Sequence, residues 1–241
     1  MPFLVRPATE ADCPAIGHIG REAFRPGIGQ LMYPPLLQHR TLENVDQNSE
    51  GWPFIDEQEY QVKRARWRIN NTTTVVLVDT DQPDEILGYA HWEAPRGSPY
   101  YKGPPEGEEE LKPVPPTFDR ARMAQIGEEF DAAAIKALGD NGYKDMWYLA
   151  VLCVHPNHQG KGVGKQILQW GMARAAEERK SVFLLGSSEG FPLYRSQGFQ
   201  TIGEFQLCGL LHSRSMMLPP PFPALDPATV LDTSVVVDGQ A

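Results

Sequence analysis

The residues with the clearest chemical potential are Gln159-Gly160-Lys161-Gly162-Val163-Gly164, between an apolar run at 146–154 and a stretch of helical pattern. Glycine lacks Cβ, so the main chain there can adopt positive φ and come close to an anion. A helix starting just after the turn would aim its unpaired first N–H groups at that anion. Three readings compete. A nucleotide loop G-x-x-x-x-G-K-[ST] ending at Gly164-Lys165 needs glycine at 159 and a hydroxyl at 166, where the chain has Gln159 and Gln166. A dinucleotide turn G-x-G-x-x-G fits Gly160 and Gly162 but meets Lys165 at its third position, too far past the strand. The form Q/R-x-x-G-x-G/A after Val154-His155-Pro156 fits throughout. Such a nest suits a pyrophosphate without a metal, because no carboxylate or hydroxyl is set to hold a cation. On the glycines alone, a turn that merely packs helix on sheet is an equal alternative.

A second segment decides between them. Val151 to Gly164, taken with Leu193-Tyr194-Arg195-Ser196-Gln197-Gly198-Phe199, resembles the GNAT family (GCN5-related N-acetyltransferases, acetyl-CoA-dependent). The resemblance is specific from about Leu149 to Phe205, and compatible in element order from Phe3 to Glu93. It does not cover Ala94 to Tyr143, where the family has a much shorter link. It implies an N-acetyltransferase that moves an acetyl group from acetyl-CoA, as cosubstrate and without a metal, to an amine. Leu152, Cys153 and Val154 would lie along the pantetheine arm, with the main chain of Leu152 and Val154 binding it like an added strand. The strands from Trp147 and Val182 would splay to admit it. Gln159, Gly160, Lys161, Gly162, Val163 and Gly164 would hold the pyrophosphate, Ser187 would touch the arm, and Tyr194 would protonate the departing thiolate.

Many relatives carry a glutamate on the strand before the glycine turn, and this strand has none. Glu93, Asp145, His91 and His212 are weak candidates for the base, and none is assigned. A GNAT-fold protein that binds CoA without transfer is therefore the alternative. The acceptor is a small-molecule amine or a peptide amine; Phe24, Tyr33, Trp52, Phe54 and Trp67 fall where relatives shape its pocket. A homodimer is admitted as an assembly.

These residues need elements to hold them. Apolar or β-branched runs predict strands at 3–5, 72–79, 86–93, 146–154, 181–186, 199–207 and 215–218, with turn chemistry at Gln82-Pro83-Asp84. Period-3.6 patterns predict helices near 11–23, 56–69, 119–138, 162–179 and 191–196, with a further short one inside 25–53. Thr9 to Asp12 has the form of a capping box, Asn141-Gly142 would end the fourth helix, and Lys165 and Gln169 would point away from the core. Strand, helix, strand across 146–186 implies parallel pairing by a right-handed crossover. The fold class is α/β (α+β): the GNAT fold, with a central mixed, mostly antiparallel sheet, one parallel β-α-β unit and helices on both faces. Residues 1–218 would form a single domain with an insertion at about 94–143, irregular and exposed up to Thr117; 219–241 would be a Pro-rich tail.

The bulk numbers agree. A chain of 241 residues with 41% hydrophobic content can bury a core, and a net charge of -9 argues against nucleic acid and anionic membrane as partners. Cys13, Cys153 and Cys208 give no disulfide framework and no zinc spacing. No basic-then-apolar leader and no long apolar run is present, so a cytoplasmic protein is expected.

Overall fold

The computed structural model describes residues 3–25, 27–32, 54–112, 114–115 and 117–223. Its strands are β1 (Phe3–Pro7), β2 (Thr73–Asp79), β3 (Gln82–Glu93), β4 (Trp147–Val154), β5 (Val182–Ser187), β6 (Gln200–Leu207) and β7 (Leu211–Leu218). They form one sheet in the order β1-β2-β3-β4-β5-β7-β6. Only the pair β4–β5 is parallel among these; the rest are antiparallel. The helices are α1 (Cys13–Phe24), α2 (Ile28–Leu31), α3 (Phe54–Asn71), α4 (Arg120–Leu138), α5 (Val163–Glu177) and α6 (Phe191–Ser196). The expected mixed sheet, with its one parallel unit closed by α5, is thus present.

Both faces of the sheet are covered. On β2, Val75 and Leu77 pack toward α5, while Val76 and Val78 pack under α1 and α3. Such two-sided burial is why β2 reads as an unbroken apolar run rather than an alternation. On α5, Ile167, Gly171 and Ala175 face the sheet as the periodicity predicts. Gly171 has no room for a side chain, since a Cβ there would lie 2.3 Å from Trp92 Cζ2. Around that contact Trp92, Trp147 and Trp170 form an aromatic cluster, with Trp147 and Trp170 edge-on at 6.5 Å. At the other face, Arg6 grips Asp12 through two bonds of 2.8 Å. The Thr9 N–H donates to the same carboxylate at 2.7 Å, closing the capping box that starts α1.

Several local expectations are corrected. The β2–β3 turn is Thr80-Asp81, with Asp79 opposite Gln82, so Gln82-Pro83-Asp84 already belongs to β3. Asp81 N–H bonds Asp79 Oδ1 at 3.0 Å, and this side-chain bond makes the tighter turn. Helix α4 ends at Gly139, at φ 79°, before Asn141-Gly142. β7 begins at Leu211, four residues earlier than the hydrophobic pattern suggested, because it is central, between β5 and β6. β4 is not buried on both faces: Ala150, Val151, Leu152 and Val154 are half-exposed. Gln169 does not point to solvent but is buried, donating to Gln197 Oε1 at 2.8 Å.

The stretch 94–117 is not a solvated loop throughout. Tyr100 sits 5.5 Å from Trp147 and 5.9 Å from Trp170 by ring centroids. Glu178 takes bonds from Ser98 Oγ at 2.6 Å and Trp147 Nε1 at 3.0 Å, tying this strap to the end of α5. The Glu106 carbonyl accepts from Trp67 Nε1 at 2.7 Å. Helix α4 then packs over β6 beside α2, with Leu31, Ile126 and Leu207 as its buried contact. Tyr33, Trp52, the Phe54 side chain and the tail beyond residue 223 lie outside the described residues.

Candidate active site

The site is organised by a break in the sheet. Trp147 pairs with Val182, Tyr148 with Phe183 and Leu149 with Leu184. Pairing then stops, although β4 continues to Val154 and β5 to Ser187. Across from β3, Trp92 faces Leu149 and His91 faces Val151, so Ala150 is an extra residue. A bulge of this kind increases local twist and bends its strand, which here turns β4 away from β5. Beyond it, His155 N–H donates to Leu87 C=O at 2.9 Å. Main-chain groups alternate between the two neighbouring strands, so Val151 and Cys153 face β3 while Leu152 and Val154 face the gap. Cys153 thus differs from its two neighbours: its main chain is engaged with β3. Its side chain is 2% exposed, and burial pushes the thiol up to about 12.

The glycine turn stands at the open end of the gap. Gly160 has φ 73° and Gly162 φ 85°, values that side-chain-bearing residues rarely adopt. A Cβ on either would meet nothing within 4 Å, so the space before the turn is free. Gly162 caps α5, whose first main-chain bond runs from Gln166 N–H to Gly162 C=O at 3.2 Å. The N–H groups of Val163, Gly164 and Lys165 are left without protein acceptors among the described residues. Gln159 Nε2 donates to Val154 C=O at 3.2 Å, joining the turn to the strand end. Lys161 and Lys165 are exposed beside it. Open amides, left-handed glycines and two ammonium groups fit a pyrophosphate. Among the described residues no group of three His, Cys, Asp or Glu could hold a metal ion.

Tyr194 lies on the other lip. Its ring is slotted between Gly186 and Gly190: a Cβ on Gly186 would be 3.2 Å from its Cδ2, and one on Gly190 would be 2.8 Å from its Cε2. Gly186 is just past Leu184, where β4–β5 pairing ends. The residue is 8% exposed, and its hydroxyl has no hydrogen-bond partner among the described residues. Burial pushes the phenol far above its ordinary value, so it holds its proton. Ser187 Oγ accepts from Gly190 N–H at 3.3 Å, shaping the turn into α6.

A cleft on the opposite face reaches the sheet at Val151, next to the bulged Ala150. It has a cavity volume of 70 Å³ and is lined by Phe24 from α1, Arg64 and Arg68 from α3, His91 from β3 and Val151. Of the candidate bases, only His91 opens on it. His91 Nδ1 is 2.8 Å from Thr74 Oγ1, which is 3.3 Å from Thr72 Oγ1, and Thr72 donates to Arg68 C=O at 2.7 Å. With the Thr72 proton committed, a Thr74 hydroxyl that donates to Thr72 accepts from His91 Nδ1–H. That order leaves Nε2 with a free lone pair. Burial, then the charges of Arg68 and Arg64, hold the imidazole well below its usual value, so it is neutral near pH 7.

The other candidates are elsewhere. Glu93 is opposite Tyr148, at the closed end of the β4–β5 pair, 3.5 Å from Arg68; burial raises its carboxyl and Arg68 pulls it back. Asp145 is exposed ahead of β4, and His212 is on β7 with Glu204 at 3.7 Å. A larger cavity, 480 Å³, opens between Trp67, Tyr101, Glu93 and Tyr143, again at the closed end. Sequence reasoning missed both the Arg64–Arg68 pair and this second cavity, because neither belongs to a motif.

A split parallel pair, a glycine nest before α5 and a buried tyrosine on the far lip thus surround one gap in the sheet. A family model described as an acetyltransferase (GNAT) domain matches residues 123–201. An acetyltransferase of Stachybotrys chartarum is 27% identical over 154 residues, covering 61% of this chain and 64% of that one. The chain thus matches somewhat less than two thirds of that relative's length. Among solved structures, a Corynebacterium glutamicum protein described as histone acetyltransferase HPA2 and related acetyltransferase superposes with a TM-score of 0.55 at 20% identity. It covers 93% of this chain and 100% of its own. An Acinetobacter baylyi structure gives a TM-score of 0.50 at 15% identity, covering 92% and 94%. These two likenesses bear on the fold. No helix among the described residues is long and apolar enough to cross a membrane.

Proposed function

We propose that the chain is an acetyl-CoA-dependent N-acetyltransferase whose acceptor amine enters by the cleft at Val151. The observation that carries this reading is the β4–β5 gap itself, with phosphate-type amides at its mouth and an unpartnered, protonated phenol on its lip. Acetyl-CoA supplies a thioester carbon open to attack. The open amides of Val163 to Lys165, with Gly160, Gly162, Gln159 and Lys161, hold its pyrophosphate, and Leu152 and Val154 pair with its arm. Ser187 borders the same arm. Main-chain N–H at the Ala150 bulge faces the carbonyl oxygen and stabilises the charge that grows there. His91 Nε2 takes a proton from the attacking amine, and Tyr194 gives one to the sulfur. One C–N bond forms, one C–S bond breaks, and the two protons balance.

The test is direct. Acetyl-CoA should raise the melting temperature, and an amine panel should include acceptors that release thiol in equal amount to the amide formed. Tight cofactor binding with no turnover on any amine would instead favour the non-catalytic CoA-binding alternative, which the acid-free β4 supports.

A further inference from the structure

The cleft below α1 and α3 is positively charged in a chain whose net charge is -9. Glu57, Gln61, Arg64 and Arg68 recur at helical spacing and bring one polar stripe of α3 to the cavity. From α1, Arg21 and Arg25 are both engaged with Glu22 Oε1, at 3.2 and 2.7 Å. Arg68 reaches Glu93 only at 3.5 Å, long for a charge-assisted bond. Arg64 is half-buried, lines the cavity, and has neither hydrogen bond nor ion pair among the described residues. Burial and then the neighbouring Arg64 charge lower Arg68 below the ordinary arginine value. Two mutually repelling guanidinium groups, one without an ion pair among the described residues, outnumber the single carboxylate of Glu57 in this lining and are costly to hold in a cavity unless an anion completes them.

We infer that the acceptor is an amine that also carries a carboxylate, which Arg64 and Arg68 bind while the amino group lies between His91 and Val151. This rests on the acceptor role given to the cleft above. A guanidinium fork matches a carboxylate in two parallel bonds, which a Lys or an amide cannot reproduce. Arg64 is thus a specificity residue: it holds the end of the acceptor remote from the reacting carbon. His91 and the bulge at Ala150 lie on the other side of the same small cavity.

The experiment uses matched probes on the full chain with saturating acetyl-CoA: L-phenylalanine against phenethylamine, L-methionine against methioninamide, and glycine against aminomethylphosphonate. The acid of each of the first two pairs should be used better by about tenfold to a hundredfold in kcat/KM, the range for a lost charge-assisted bond. The third pair separates carboxylate from other oxyanions. Arg64→Gln should bring the acid-to-neutral ratio toward one, chiefly through KM. It should leave acetyl-CoA affinity unchanged, and Arg64→Lys should restore part of the ratio. Equal use of acids and neutral partners, preference for the phosphonate, or a ratio unmoved in Arg64→Gln overturns the inference while the transferase reading stands. If no probe is turned over, calorimetry on the CoA-saturated protein decides: acid-selective binding that Arg64→Gln abolishes supports it, and no such difference overturns it. Loss of acetyl-CoA binding by the native chain would instead defeat the reading it rests on.

Discussion

Replacing Tyr194 by Phe isolates one oxygen atom. The hydroxyl has no hydrogen-bond partner among the described residues, so its removal leaves no donor or acceptor stranded. The ring keeps its slot between Gly186 and Gly190 and its contact with Phe199 at 6.0 Å. Stability should therefore change by less than about 0.5 kcal/mol, as for a substitution that breaks no packing. Activity should fall much further. Loss of a positioned general acid costs about 10²- to 10⁴-fold, or roughly 3–5 kcal/mol of barrier. The assay is thiol release under acetyl-CoA saturation, with acetyl-CoA affinity measured separately by calorimetry. The native protein should also show no alkaline fall in rate attributable to this phenol near pH 10, because burial raises its pKa well beyond that value. A Tyr194→Phe protein that binds acetyl-CoA normally and turns over within about twofold of native, with chemistry rate-limiting, would refute the role.

Other outcomes follow from the same geometry. Gly162→Glu forces a side chain onto φ 85° and sets a carboxylate among the open amides, so acetyl-CoA-induced thermal stabilisation should vanish while the unliganded fold persists. Gly171→Ala drives a methyl into Trp92, 2.3 Å from its Cζ2, and should cost about 1–3 kcal/mol in denaturant unfolding, with the site chemistry spared. His91 is held neutral in the fold, whereas an unfolded His takes a proton below about pH 6.5; folding stability is thus complete above that pH and is lost as pH falls below it. His91→Gln should flatten this acid slope by up to about 1.4 kcal/mol per pH unit, and should lower kcat more than it raises the KM for the amine.

What the sequence alone determined is what lies close together along the chain. Tyr194 is picked out by the resemblance of residues 194–199 to a GNAT signature, whereas the turn from Gln159 to Gly164, the strand before it and the helix after it are one continuous segment. Local periodicity and glycine chemistry suffice there, and the parallel unit follows from chirality. Only the tertiary structure decided the rest. The bulge at Ala150 exists in the register between β3 and β4, and the gap exists because β5 fails to follow β4. The neutrality of His91 depends on burial under the folded helices and on the charges of Arg68 and Arg64 from α3. Gln169 looked solvent-facing until Gln197, on the next crossover, covered it. Tyr100 reads as part of a loop until Trp147 and Trp170 receive it. Arg64 reads as any charge on an amphipathic helix, and becomes informative only when the folded neighbours of Glu22 and Glu93 prove to be other arginines. Whether a charge has a partner is a property of residues far apart in the chain, and no local pattern carries it.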